Sequence, residues 1–252
     1  MLKIIYEPTI TLIAQTRFLE PAHLRVSWVG DSTQGEQLSE YSGRLCYMSQ
    51  KNPAKKDGKT YIKNILEQGH GSVLEHATYS FLLEGISRSC THELVRHRAG
   101  LAYSQLSQRY VDESDSAFIM PPAIIGFQDL EQIFINSCSD SLAVYKKLIE
   151  QLEETYSFKI NDKHERRKKV REAARAILPN SIETKIVMTG NVRAWRHVLE
   201  LRSGLGADQE IRRLAIGLIR QFKEICPNFF QDFTIFENEN EIPTCTVIYS
   251  KV

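Results

Sequence analysis

No run of eighteen apolar residues occurs in the 252-residue chain, which excludes a long apolar transmembrane helix. The opening MLKIIYEPTITLIAQTRF also lacks the basic start and apolar core of a signal peptide, so a cytoplasmic protein is expected. An excess of one charge is missing too: 32 basic residues face 31 acidic ones, a formal net charge of +1. No molecule-wide field therefore drives the chain onto nucleic acid or membrane, and neither is an expected partner; any attraction for anions has to be local. The five cysteines, Cys46, Cys90, Cys138, Cys226 and Cys245, are odd in number and contain no CxxC pair, which argues against a disulfide framework and a structural zinc site. Most are expected to be reduced packing residues. Neither a GxGxxG fingerprint nor a P-loop is present, so a bound nucleotide is held by other means.

What the chain does have is the composition of a folded globular protein, 42% hydrophobic and 25% charged. Leu2 to Tyr6 reads as a short strand ending before Pro8, residues 8–42 show no clear period, and Ser49–Thr60 reads as a surface loop leading into a helix that ends near Gly69. Ala77 to Ile86 alternates as a strand that Gly85 is placed to end, and Ser87 to Arg98 turns helical. Apolar residues recur at helical spacing from Leu130 to Tyr156 and from Ile211 to Ile225, where Pro227 stops the helix. Between them a basic helix, KHERRKKVREAARAILP, runs toward Pro179. Long helices, scattered strands and no repeat predict a single α+β domain over 1–252, a mixed or antiparallel sheet packed by long helices.

Three segments carry chemistry. Residues 96–109 contain Arg96, His97, Arg98, Ser104, Gln105, Ser107, Gln108 and Arg109. Guanidinium forks match phosphate oxygens, and hydroxyls and N–H groups of a turning loop complete an anion cradle. A solvated basic face is the plain alternative, weakened by the apolar neighbours Leu94, Val95, Leu101, Ala102 and Leu106, among which arginines need counter-ions. His92 and His97 stand five apart in HExxxH, about 140° round a helix, so a zinc site of the HExxH kind is not expected and no metal is assigned. The second segment, Gly69 to His76, sets His70, Ser72, Glu75 and His76 on a turn whose glycines permit close approach to a ligand; a bare polar turn fits the composition equally well. In the third, Asn191 to Arg202, Arg193 and His197 share one helix face while Arg202 points away, with Trp195, Val198 and Leu199 as the anchoring side.

RHR-x8-S with the continuation SQRY resembles the RHR-x7-S signature of flavin-dependent thymidylate synthases. GRLCY at 43–47, GHGSVLEH at 69–76, AARAILP at 173–179 and NVRAWRHVLELR at 191–202 match in the same order, so the resemblance spans about residues 43–225. It implies a homotetramer with active sites shared between subunits, and reductive methylation of dUMP to dTMP using FAD, 5,10-methylenetetrahydrofolate and NADPH or NADH. It also implies that Cys46, Ser72, Glu75, Arg96, His97, Arg98, Gln105, Asn191, Arg193 and His197 lie near FAD. Around dUMP it implies Glu93, Arg96, Gln105, Leu106, Ser107, Gln108, Arg109, Arg175 and Arg202. Arg96, Arg109 and Arg175 would serve the phosphate. Arg202 would address the uracil ring as a catalytic group, and His70 would contribute on the folate or flavin side. Ser107, a nucleophile by position, has no evident base in the sequence and is read as a binding residue.

Three departures stand out: the extra residue between Arg98 and Ser107, Glu93 where glutamine is common, and Gly206 where many relatives have histidine. They motivate one alternative, a flavin- and nucleotide-binding relative with altered activity. A second is a non-catalytic nucleic-acid binder using Arg96, Arg98 and the basic helix on phosphates. The unrelated cysteine-dependent thymidylate synthases need a cysteine preceded by proline, which this chain lacks.

Overall fold

Asp57 accepts a hydrogen bond from Thr60 N at 2.8 Å, Asp162 from Glu165 N at 2.7 Å and Asp208 from Glu210 N at 2.9 Å; these three carboxylates start helices. In the computed structural model, which describes residues 2–50, 57–237 and 241–252, they open three of the seven α-helices of the described residues. The order runs β1 (Ile4–Ile5), β2 (Thr9–Gln15), α1 (Gln34–Cys46), α2 (Gly58–Glu67), β3 (Thr78–Ser87), α3 (Arg88–Leu94), β4 (Leu101–Gln105) and β5 (Phe118–Ile119). It continues with α4 (Gln128–Ser157), α5 (Lys163–Ala174), β6 (Glu183–Asn191), α6 (Val192–Arg202), α7 (Gln209–Ile225), β7 (Phe233–Phe236) and β8 (Thr244–Val247). A four-stranded sheet has the order β2-β3-β6-β4, β1 pairs parallel with β5, and β7 pairs antiparallel with β8. The class is α+β, as expected.

The expected strand at Leu2–Tyr6, the helix before Gly69 and both long apolar helices are present as β1, α2, α4 and α7. Of the expected loop Ser49–Thr60, residues 51–56 lie outside the described residues, and Gly58 onward already belongs to α2. Gly85 does not end β3. At φ +65° it adopts a left-handed kink, and an added Cβ would meet Glu7 O at 3.0 Å, so the glycine lets the strand pass another backbone and continue. The helix after β3 is shorter than expected and stops at Leu94, so Arg96 to Arg98 lie beyond it and His92 and His97 do not share a helix. The expected turning loop at Leu101–Gln105 is the strand β4.

The chain forms two compact units. One takes residues 1–9, 83–94 and 104–186, the other residues 10–82, 95–103 and 187–252. The first has a core of Phe118, Cys138 and Ile182, covered by Leu2, Ile4, Phe134, Leu142 and Leu178. The second has an aromatic core in which Phe222 meets Phe81 at 5.1 Å, Trp195 at 5.4 Å and Phe230 at 4.5 Å between ring centres. The anchoring side of α6 is as expected: Trp195, Val198 and Leu199 are buried. All five cysteines are free, four of them buried and Cys46 exposed.

Candidate active site

In the second unit, α6 starts at Asn191, whose side-chain oxygen accepts from Ala194 N at 2.9 Å. Asn191 Oδ1 is engaged as a helix cap, and its Nδ2 faces Gly100. Gly100 sits at φ +72°, and a Cβ there would come within 2.8 Å of Asn191 Nδ2 and 3.0 Å of Ala194 Cβ. Its carbonyl accepts from Asn191 N at 3.2 Å. Tyr103 Oη donates to His97 O at 2.7 Å and so pins the Arg96–His97–Arg98 turn onto β4. Burial pushes that phenol up to about 12, so it remains a donor at any physiological pH.

Two clefts open on this unit. One, of about 330 Å³, is lined by Glu75, Ala99, Gly100, Asn191, Arg193, Ala194 and His197. The other, of about 370 Å³, includes Cys46, Tyr47, Tyr61, His70, Gly71, Ser72 and Arg193. Arg193 borders both. Its Nη1 donates to Glu75 Oε1 at 2.6 Å, a half-exposed ion pair that contributes little to stability and leaves both groups within reach of a ligand. Six of the side chains the family resemblance assigns to flavin, Cys46, Ser72, Glu75, Asn191, Arg193 and His197, therefore line these two openings, with His70. Tyr47 and Tyr61, which the sequence reading passed over, line the second.

His97 joins this group through its ring, 6.2 Å from that of His197, and accepts from Arg202 Nε at 3.0 Å through Nε2. An imidazole nitrogen that accepts carries no proton, so His97 is the neutral tautomer with its hydrogen on Nδ1. Burial, then the charges of Arg202 and His197, push its pKa from 6.5 down to about 4. The sign follows: between about 4 and 6.5 an unfolded chain binds a proton that the folded one does not. Stability from this group is therefore complete above 6.5 and falls as pH drops toward 4. Titration of the histidine nitrogens by NMR is expected to place the His97 midpoint near 4; a midpoint near 6.5 would contradict the Arg202 contact.

Arg96 and Arg98 are exposed, so their apolar neighbours in the sequence do not enclose them and do not weigh against a solvated basic face. Their neighbour Leu94 is in the core, and the two guanidinium groups project from the turn after α3.

The first unit holds most of the residues the resemblance assigns to dUMP: Glu93, Gln105, Leu106, Ser107, Gln108, Arg109 and Arg175. Glu93 is half-buried on α3. Gln105 Nε2 donates to Thr91 Oγ1 at 2.9 Å and to Thr184 Oγ1 at 3.3 Å, which fixes the amide on β4. Leu106 N bonds Lys185 O at 2.9 Å and extends the strand pairing to the start of the Ser107 turn. Ser107 O then accepts from Tyr110 N and Val111 N, and Ser107 Oγ from Arg109 N at 3.4 Å. Arg109 pairs with Glu172 at 2.9 Å near the surface, and Arg175 follows α5 in a short 3-10 turn, half-buried. Arg88 and Glu113, which no sequence pattern singles out, lie in the same unit. Arg96 and Arg202 belong to the other.

A model of the Thy1 family, described as thymidylate synthase complementing protein, matches residues 29–228. Among similar curated proteins are the flavin-dependent thymidylate synthases of Mycobacterium marinum, 47% identical, and Mycobacterium avium, 48% identical. Each alignment covers 90% of this chain and 90% of the relative. Among solved structures, the fold is similar to a UMP/dUMP methylase, PolB from Streptomyces cacaoi, bound with 5-Br UMP. The TM-score is 0.67 at 19% identity, covering 92% of this chain and 96% of that one. No helix among the described residues is long and apolar enough to cross a membrane.

Proposed function

Since the chain belongs to the Thy1 family of flavin-dependent thymidylate synthases, we propose that it methylates dUMP reductively to dTMP, with 5,10-methylenetetrahydrofolate as carbon donor, FAD as hydride carrier and NAD(P)H as reductant. The observation that carries the reading is the convergence of Cys46, Ser72, Glu75, Asn191, Arg193 and His197, from segments far apart in sequence, on two clefts that share Arg193. Gly71 and Gly100 wall these clefts. A Cβ on Gly71 would lie 2.7 Å from Arg193 Nε, so the glycine lets the Arg193 side chain lie close against the backbone at the cleft wall. A guanidinium, an amide Nδ2, an imidazole and a hydroxyl are a donor set that fits a dinucleotide such as FAD.

When bound, the reduced flavin supplies the hydride for methyl formation. The residues of the chain do the rest. Arg98 and Arg193 serve the cofactor's phosphates, and Arg96, Arg109 and Arg175 serve that of dUMP. Ser107, Gln108, Gln105, Leu106 and Glu93 frame the nucleotide. Arg202, oriented by the neutral His97, presents its cation to the uracil ring and stabilises the negative charge that makes C5 nucleophilic. His70 serves the folate or flavin side. The chain acts as a single catalytic domain, in the cytoplasm, as a homotetramer whose subunits share active sites.

The test is genetic: expression in a bacterium lacking every thymidylate synthase is expected to allow growth without thymidine. A continued thymidine requirement with the protein soluble and abundant would favour the relative of altered activity.

A further inference from the structure

Within one turn, α1 carries two features that each cost stability, Gly43 and the buried pair of Glu40 and Arg44. A glycine in a helix interior weakens the helix, and an ion pair taken out of water gains little over apolar packing. Both features meet one side chain, Tyr61 of α2. A Cβ on Gly43 would collide with Tyr61 Oη and stand 3.4 Å from Tyr61 Cζ, so only a glycine lets the phenol tip lie against the backbone of α1. Arg44 Nε and Nη2 both donate to Glu40 Oε1, at 2.8 and 2.6 Å. The guanidinium fixed in this way lies over the Tyr61 ring, 5.2 Å from its centre. Burial, then the Glu40 charge, pushes the phenol up to about 12, so the ring facing the cation stays neutral.

The ring is thus held at its tip and by the cation over it, and it forms part of the wall of the cleft of about 370 Å³. Arg193, Ser72 and His70 give that cleft its polar groups; Tyr61, Ile65 and Val73 give it an apolar surface, for which a phosphate or a sugar has no use. We propose that Tyr61 is a stacking wall for a flat heteroaromatic ring of the cofactor, the isoalloxazine or the adenine of FAD, and that Gly43 and the Glu40–Arg44 pair position it. A phenol already seated in this way presents its ring with little further loss of freedom on binding. The inference rests on the FAD reading above and adds a residue that neither the sequence motifs nor the family resemblance assigned.

The experiment measures, by quenching of flavin fluorescence, the Kd for FAD of the full chain and of Tyr61→Leu, Tyr61→Phe, Gly43→Ala and the double variant Gly43→Ala/Tyr61→Phe. Tyr61→Leu is expected to weaken FAD about tenfold, ~1.4 kcal/mol, and Tyr61→Phe, which keeps the ring, to restore most of that affinity. Gly43→Ala is expected to weaken FAD because its methyl displaces the phenol. The double variant is expected to recover, since without the hydroxyl the methyl meets the ring at 3.4 Å, an ordinary contact. Wild-type affinity in Tyr61→Leu, or a Gly43→Ala loss that Tyr61→Phe does not relieve, would overturn the assignment. If Tyr61→Leu does not fold, the Gly43→Ala loss and its relief decide alone. FMN, which lacks adenine, then tells the rings apart: a Tyr61→Leu loss shared by FMN supports the stack with isoalloxazine, and a loss confined to FAD supports the stack with adenine. Wild-type protein that takes up no FAD would remove the underlying reading itself; wild type and Tyr61→Leu binding FAD equally would remove only this inference.

Discussion

Arg202→Ala is expected to lower kcat/KM for dTMP formation by about 10²–10³-fold, the effect of removing one cation or donor that stabilises charge developing in a transition state. α6 ends at Arg202, so the guanidinium projects from a helix whose buried side, Trp195, Val198 and Leu199, is locked in the aromatic core. Its Nε is then held by His97 Nε2 at 3.0 Å, which removes part of the freedom a long side chain otherwise has. The same variant carries an internal check. Arg202 is one of the charges that hold the His97 pKa near 4, so its loss should move the His97 midpoint toward 6.5. A variant with full activity and an unmoved His97 titration would show that Arg202 neither touches the reacting ring nor is held by His97.

The largest stability effect is expected elsewhere, at Arg196→Ala. Arg196 is 2% exposed and bonds both oxygens of Asp232, at 2.8 and 2.9 Å, with further bonds to Phe229 O at 2.6 Å and Tyr249 O at 3.1 Å. Its guanidinium also lies 5.0 Å from the Phe233 ring centre. One side chain therefore ties α6 to the turn before β7 and to the C-terminal segment. Removing it strands Asp232, whose side chain is 1% exposed, as a buried charge without its partner. Breaking such a pair from one side costs about 3–5 kcal/mol, more than the attraction itself contributes when intact. Urea unfolding of wild type and variant measures it; a loss below about 1 kcal/mol would mean that water reaches Asp232 and the pair is not a closed network.

Legibility in the sequence followed the apolar period. α4 and α7 repeat apolar residues at helical spacing and were readable, as was the anchoring side of α6. α1 was not, because much of what it buries is polar: Glu36, Ser39, Glu40 and Arg44. Glu36 accepts from Asn228 N at 2.8 Å, and Arg44 Nη2 pairs with Glu40 at 2.6 Å, bonds to which a hydropathy pattern is blind. β6 carries a period of two, with Thr184, Ile186, Met188 and Gly190 buried in alternation, a short signal between two stronger helical ones. The polar strand β4 passed for a loop because its hydrogen bonds, rather than its side chains, make it a strand.

Of the site, the arginines and the His70 and Asn191 segments were readable because their residue types and order resemble a known family. Their surroundings were not. Nothing in VDESDS marks Glu113 as buried, and nothing in the RHR turn shows that Arg96 and Arg98 are exposed while His97 is half-buried and neutral. Those properties arise from the end of α3 at Leu94 and from partners far along the chain.

The central claim is tested most directly by a single turnover. Purified protein is loaded with FAD, reduced anaerobically with NADPH, and mixed with dUMP and 5,10-methylenetetrahydrofolate. dTMP is expected to form in step with the return of the oxidised-flavin absorbance. Flavin that binds and is reduced while dUMP is recovered unchanged would contradict the claim.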